Sequence, residues 1–117
     1  MSKSIEYDND IVMETKDGGT RYTYVKIHNT LGTLSLYLNK KDDTAYISDF
    51  SVKENHRGKG LGTLLLKKAL FICDKQKKKA ELDVVRDNTR AITFYKRIGF
   101  KEDKAHSTAY VLKMVIE

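Results

Sequence analysis

A glycine-rich run with two basic residues, RGKGLG at residues 57–62, is the part of the sequence best suited to bind a ligand. It directly follows a predicted strand and opens a predicted helix. Glycine lets the backbone approach a ligand closely and adopt positive φ. The first turn of a helix adds unpaired N–H groups and a partial positive charge. The run therefore suits a phosphate or pyrophosphate, although a tight strand–helix turn without a ligand is the alternative.

The spacing of the glycines distinguishes this run from two common nucleotide-binding motifs. No Gly-Lys-Ser/Thr sequence follows at the spacing of a Walker loop. The preceding strand is the fourth rather than the first, and the glycine spacing differs from that of the dinucleotide-binding fingerprint. Neither class of nucleotide-binding domain is predicted.

The elements around the run follow from the periodicity of the apolar residues. Leu34, Leu36 and Leu38 alternate with polar residues, which is typical of a strand with one apolar face. Two later segments have apolar residues at helical spacing. The predicted strands cover 11–15, 22–27, 34–38, 45–52, 82–85 and 110–116, and the predicted helices cover 60–77 and 89–98. The order β-β-β-β-α-β-α-β, with room for a short strand near Phe100, predicts a mixed sheet of the α/β or α+β class.

Length and composition narrow the class of protein further. The 117 residues predict a single domain, residues 1–117. The longest apolar runs, 64–66 and 69–73, are too short for a membrane span, and the acidic start does not resemble a signal peptide. The single cysteine, Cys73, excludes a disulfide framework or a cysteine-based zinc cluster. We therefore expect a cytoplasmic protein with no membrane partner and no metal.

The basic charge lies in the second part of the chain. Residues 1–44 carry six Lys and Arg against seven Asp and Glu, whereas residues 45–117 carry sixteen against nine. This excess favours an anionic partner: a phosphate-bearing cofactor, an acidic protein or nucleic acid. A nucleic-acid-binding domain is the weakest of these interpretations because the sequence lacks a known DNA- or RNA-binding motif.

Two segments carry a family resemblance. Residues 52–65, VKENHRGKGLGTLL, closely resemble motif A of the GNAT N-acetyltransferases, and residues 84–100, VVRDNTRAITFYKRIGF, are similar to motif B. The resemblance covers roughly residues 31–116. It implies a twisted, mostly antiparallel mixed sheet whose fourth and fifth strands splay into a V that holds acetyl-CoA. It also implies transfer of the acetyl group to a primary amine by direct attack, the amine belonging to a small molecule or a protein.

The resemblance implies a set of cofactor-binding residues. Backbone N–H groups of residues 57–63 would cradle the CoA pyrophosphate, and the edge of the fourth strand would pair with the pantetheine arm. Asn88 resembles the family asparagine near the CoA arm, while a helix cap is an equally open and compatible role for it. The implied residues are Phe50, Ser51, Val52, Arg57, Gly58, Lys59, Gly60, Leu61, Gly62, Thr63, Asn88 and Tyr95.

Two catalytic residues are predicted. Tyr95 matches the family tyrosine beside the CoA sulfur. A phenol of pKa about 10 stays protonated at neutral pH and can donate to a thiolate of pKa about 8.5; a purely structural core tyrosine is the alternative. Asp49 is the leading candidate for the base, because Ser48 stands where some family members have a carboxylate. Strand alternation places these two side chains on opposite faces. Asp83 is a weaker candidate, and a water path without a dedicated base is also open.

The chain departs from the family at its start. Only residues 16–20 separate the first two predicted strands, where most members have two helices that wall the acceptor site. The acceptor side should therefore be open, which suits a bulky acceptor, or walled by a partner chain. Leu64 and Phe71 lie opposite the apolar stripe of their helix, which fits either a homodimer contact or packing against a neighbouring element. An acyl-CoA-binding module without chemistry is the alternative function.

Overall fold

A computed structural model describes residues 8–17, 20–29, 32–53 and 60–117, with side chains from residue 32 onward. Its elements form one sheet, with strand order β1-β2-β3-β4-β5-β7-β6, and two helices. They are β1 (Asp8–Asp17), β2 (Thr20–Asn29), β3 (Gly32–Asn39), β4 (Thr44–Val52), α1 (Leu61–Lys75), β5 (Lys79–Val85), α2 (Thr89–Ile98), β6 (Lys101–Glu102) and β7 (Val111–Ile116). Neighbouring strands are antiparallel except for β4 and β5, which are parallel. The predicted mixed, mostly antiparallel fold is confirmed.

The boundaries of the helices follow from their caps. Asn88 accepts a hydrogen bond from the N–H of Ala91, and Gly99 ends α2 with a φ of 126°. The predicted and observed bounds of α2 agree for this reason. Helix α1 is slightly shorter than predicted because Gly60 precedes it as the N-cap and Gln76 ends it. Neither described helix is long and apolar enough to cross a membrane.

The core lies between the sheet and the helices. The apolar face of β3 meets the buried side of α1, and β5 and β7 extend the same layer. The fully buried side chains are Leu34, Leu36, Leu65, Leu66, Leu112 and Met114. Cys73 is also buried, and burial raises the pKa of its thiol to about 11. The cysteine is therefore a packing residue rather than a nucleophile.

The first two strands are joined directly. Asp17 of β1 pairs with Thr20 of β2, so only residues 18 and 19 connect them. The prediction that two helices cannot fit at this point is confirmed. The sheet face opposite α1 therefore receives no cover from a helical insertion between β1 and β2.

Strands β4 and β5 part soon after they begin to pair. Their parallel register runs only from Thr44 opposite Lys79 to Tyr46 opposite Glu81. Beyond that point β4 continues along β3, and β5 continues along β7. The two strands thus leave a V-shaped gap in the sheet, as the resemblance implies.

A β-bulge distorts β4 within this gap. Ser48 pairs with Ser35 and Ser51 pairs with Thr33, so two residues of β4 stand opposite one residue of β3. The first of them, Asp49, has a φ of 50°. Ser48 Oγ lies 3.5 Å from Asp49 Oδ2 and donates to it. The prediction that these two side chains lie on opposite faces is wrong, because the extra residue interrupts strand alternation.

The left-handed backbone at Asp49 predicts how substitutions there change the stability of the fold. An L-residue in the left-handed region costs about 1 kcal/mol relative to glycine, and aspartate tolerates it better than alanine. We expect Asp49→Gly to unfold at a higher urea concentration than Asp49→Ala. Ser51 lacks positive φ, and glycine weakens a regular strand. Ser51→Gly should therefore unfold at a lower urea concentration than Ser51→Ala. If the glycine variant were the more stable one at both positions, or the less stable one at both, the left-handed conformation of Asp49 would be contradicted.

Candidate functional site

The N-terminus of α1 is arranged to receive an anion. Gly60 precedes the helix with a φ of 81°, and no described side chain caps it. The first turn contains no acidic residue, and intrahelical bonding begins where the N–H of Leu64 donates to the Gly60 carbonyl over 3.1 Å. The N–H groups of Leu61, Gly62 and Thr63 precede that bond, so they lack carbonyl partners within the helix. Such N–H groups suit a phosphate group. Arg57, Gly58 and Lys59 lie outside the described residues.

Three elements meet at this helix start. A Cβ on Gly62 would lie 3.5 Å from Phe50 Cζ, 3.7 Å from Phe94 Cζ and 3.7 Å from Val52 Cγ2. The end of β4 and helix α2 therefore contact the first turn of α1. Phe50 and Val52 point toward the core side, while Ser51 between them is exposed. The structure thus brings together predicted cofactor-binding residues from all three elements.

Tyr95 lies in an aromatic cluster beside this junction. Its ring centroid is 6.4 Å from that of Phe50, 5.5 Å from Phe94 and 5.8 Å from Phe100. Burial raises the pKa of the Tyr95 phenol above its usual value. A raised pKa means that the folded protein favours the protonated phenol, so the proton is retained through neutral and mildly alkaline pH. The side chain can therefore donate a proton.

A second group of polar residues lies across the gap between β4 and β5. Tyr46 Oη of β4 donates to Asp83 Oδ2 of β5 over 3.0 Å. The pKa of Tyr46 is raised to about 12, first by burial, then by this hydrogen bond and by the charges of Asp83, Glu81 and Asp49. Glu81 also faces Lys113 at 3.6 Å. Tyr46 is thus a permanent donor among carboxylates. Tyr46 was not among the predicted site residues, although strand alternation places it on the same face as Ser48.

The two groups lie on opposite faces of the sheet, and the gap connects them. Ala45 and Ile47 are buried on the helix side, so Tyr46 and Ser48 alternate to the outer face. Asp83 shares that face because its partner across the gap is Tyr46. The helix side carries the anion site and the Tyr95 cluster. A molecule held on the helix side can therefore meet a second molecule that approaches from the outer face.

Comparison with known proteins decides the family. The model of the Acetyltransferase (GNAT) family matches residues 3–100. This chain belongs to the GNAT acetyltransferase family. The V-shaped gap and the start of α1 at Gly60 are the features of its structure that fit this assignment.

Two relatives match different shares of the chain. An uncharacterized N-acetyltransferase of Methanocaldococcus jannaschii is 41% identical over 64 residues, which make up 54% of this chain and 28% of that protein. The uncharacterized protein YxbD of Bacillus subtilis is 34% identical over 84 residues, 71% of this chain and 51% of that protein. The chain therefore spans about half or less of the length of these relatives.

A solved structure shows the shared fold. A GNAT family acetyltransferase from Elizabethkingia anophelis, with acetyl-CoA bound, superposes with a TM-score of 0.66 at 17% identity. The match covers 82% of this chain and 76% of that one. The architecture derived above is thus that of the GNAT enzymes.

The remaining predicted site residues have distinct positions in this GNAT fold. Asn88 is a helix cap, with its Oδ1 3.2 Å from the N of Ala91. Asp49 lies exposed at the bulge beside Ser48, on the rim of the gap. Within the described ranges, no group of three or more His, Cys, Asp or Glu side chains is arranged to bind a metal ion.

Proposed function

We propose that this chain is an acetyl-CoA-dependent N-acetyltransferase whose acceptor amine enters the gap from the outer face of the sheet. One observation carries the proposal. Strands β4 and β5 part immediately after Tyr46 pairs with Glu81, leaving the anion site of α1 on one face and the Tyr46–Asp83 pair on the other. Acetyl-CoA supplies the acetyl thioester. The Elizabethkingia anophelis enzyme of the same fold holds this molecule.

The residues of the helix side would bind the cosubstrate and supply one proton. The N–H groups of residues 61–63, which lack carbonyl partners within the helix, hold the pyrophosphate, and the edge of β4 that faces the gap beyond Tyr46 pairs with the pantetheine arm. When the amine nitrogen bonds to the acetyl carbon, the carbon–sulfur bond breaks and the sulfur leaves with the electron pair. Tyr95 gives its phenolic proton to that sulfur and is reprotonated from solvent.

A carboxylate on the outer face would remove the proton of the amine. An alkyl amine with a pKa of about 10.4 is almost entirely charged at neutral pH and cannot attack in that form. Asp83 is our preferred acceptor, because Tyr46 orients one of its oxygens across the gap. A carboxylate has about four lone-pair sites, so it can still accept a proton from an amine. Asp49 at the bulge is the second candidate.

Substitution of the two carboxylates tests this assignment. We expect Asp83→Asn to lower kcat/KM about tenfold to a hundredfold near pH 7. The loss should shrink as pH rises toward 10, where the amine loses its proton without help. Asparagine still accepts the Tyr46 hydrogen bond, so the fold should persist. The measurement is CoA release, followed with a thiol reagent across this pH range.

The controls separate the candidates. Asp74→Asn changes an exposed carboxylate on α1, away from the gap, and should leave the rate unchanged. A loss in Asp49→Asn but not in Asp83→Asn would transfer the role to Asp49. Wild-type rates in both variants would favour a water path. Tight CoA binding without turnover of any amine would instead identify an acyl-CoA-binding module.

We also propose that the acceptor is the amine of a polypeptide. The outer face beside Asp83 is not covered by an insertion between β1 and β2, and it offers apolar surface near the gap. Val85 alternates with the buried Val84 to this face and is 54% exposed. An extended chain can lie across it while its amine reaches the gap. Peptides with a free amine should have a higher kcat/KM than small alkyl amines, and the reverse order would contradict this acceptor class.

A further inference from the structure

Helix α1 carries a solvent-facing stripe that acetyl transfer does not use. We define the α1 stripe as Leu64, Lys67, Lys68, Phe71 and Lys75. Leu64 is 42% exposed and Phe71 is 55% exposed, although both are large apolar side chains. They lie on the side of α1 opposite its buried residues.

The positive charge of the stripe has no carboxylate partner within the described part of the chain. The Nζ atoms of Lys68 and Lys75 lie 5.7 and 5.4 Å from the Phe71 ring centroid, and no described carboxylate lies within 4.0 Å of the three stripe ammonium groups. The lysines just beyond α1 differ. Lys78 Nζ donates to the Asp42 carbonyl over 2.6 Å, and Lys79 contacts carboxylates at 3.3 and 3.6 Å. Lys78 and Lys79 therefore have hydrogen-bond or ion-pair partners, whereas the stripe ammonium groups face no described carboxylate.

The spacing of the stripe matches one side of a helix pair. Leu64 and Phe71 are seven residues apart, about 10.5 Å along the helix axis. Lys68 and Lys75 repeat at the same interval beside them. A heptad-spaced apolar pair flanked by cations is complementary to a helix with apolar residues at the facing positions and glutamates at the flanking ones.

We propose that the α1 stripe is a docking surface for an acidic amphipathic helix of a partner protein. Carboxylates of the partner would pair with Lys67, Lys68 and Lys75, and its apolar residues would cover Leu64 and Phe71. A second copy of this chain is a poor occupant of the same surface, because facing stripes would bring the lysines of both helices together. The surface is separate from the acetyl-transfer site, so partner binding goes beyond the proposed function.

The test uses a designed probe and the full chain. A fluorescein-labelled helical peptide about two heptads long carries leucine at its a and d positions and glutamate at its e and g positions. The control peptide replaces each glutamate with lysine. We expect the Glu peptide to bind at least tenfold more tightly than the Lys peptide, as measured by fluorescence anisotropy, and the difference to shrink with added salt.

Substitutions in the α1 stripe test whether its apolar and basic residues bind the peptide. Phe71→Ser should weaken binding of the Glu peptide about tenfold. Lys68→Glu combined with Lys75→Glu should reverse the preference toward the Lys peptide, while Lys101→Glu on the far sheet edge should leave it unchanged. CoA release should be unaffected in all three proteins. The reversal would not occur if the stripe bound peptides only through nonspecific apolar contacts.

Several results would overturn the proposal. These are equal binding of both peptides, no binding at millimolar concentration, or a Phe71→Ser variant that binds like wild type. Self-association by sedimentation that is lost in Phe71→Ser would assign the surface to a second copy. An increased KM for acetyl-CoA, with no change in the KM for acetyl-dephospho-CoA, would assign the lysines to the cosubstrate. Loss of acetyl transfer with intact peptide binding would contradict the proposed function alone.

Discussion

The Tyr95→Phe variant is expected to lose about a hundredfold in kcat with little change in the KM for acetyl-CoA. Phenylalanine preserves the ring that packs against Phe50, Phe94 and Phe100. Only the hydroxyl is removed, and with it the proton that would go to the departing sulfur. Because the loss concerns a bond made during the reaction rather than cosubstrate binding, it should appear in kcat. The measurement is steady-state CoA release with a peptide amine.

The raised pKa of Tyr95 also predicts how the rate of acetyl transfer changes with pH. Burial raises the pKa of Tyr95, so the active, protonated phenol persists as pH rises. The wild-type rate should therefore climb from about pH 7 to about pH 9 without a descending limb from this residue. A decline that begins below pH 9 and disappears in Tyr95→Phe would contradict the burial argument.

A matched control removes a hydroxyl elsewhere. Tyr110 lies just before β7 and is 80% exposed, and Tyr110→Phe should retain the wild-type kcat. Equal thermal melting of the three proteins would show that the fold is intact. A wild-type kcat in Tyr95→Phe would reduce Tyr95 to a core residue, the alternative that the sequence left open.

The sequence predicted the features that depend on residues close together in the chain, such as the ends of the helices. Helix α2 lies between a capping asparagine and a glycine that ends it, so its bounds could be read from Asn88 and Gly99. The glycine start of α1 was predicted in the same way. The V-shaped gap came from the family resemblance, and the absence of room for two helices between β1 and β2 was predicted from the short distance, residues 16–20, between their apolar segments.

The parts that the sequence did not predict depend on strand register. Nothing in Ser48-Asp49-Phe50 marks an extra residue, because a bulge is defined only by the pairing of β4 with β3. Tyr46 and Asp83 are 37 positions apart in the chain, and they meet only because β4 and β5 pair up to Tyr46 and then part. The outer half of the site is therefore a product of topology.

The anion site can be tested by placing a negative charge at its centre. Thr63 is the third residue of α1 and belongs to its first turn, which no side chain in the described ranges caps. Thr63→Asp should weaken CoA binding about a hundredfold, since two charges about 4 Å apart near a protein surface repel by roughly 4 kcal/mol at most. The same substitution should leave the melting temperature unchanged or raise it slightly, because a carboxylate near a helix N-terminus stabilises the helix. Affinity and stability therefore move in different directions, which a folding defect cannot mimic.

A second substitution at Thr63 provides the control. Thr63→Val keeps the size and β-branching of the side chain without adding charge, so its affinity for CoA in isothermal titration calorimetry should stay close to that of wild type. High salt should restore part of the affinity of Thr63→Asp, because it screens the repulsion between carboxylate and phosphate. If Thr63→Asp binds CoA like wild type, the pyrophosphate does not lie at the start of α1. The proposed direction of entry would then be wrong, because it places the cosubstrate on the helix side of the gap.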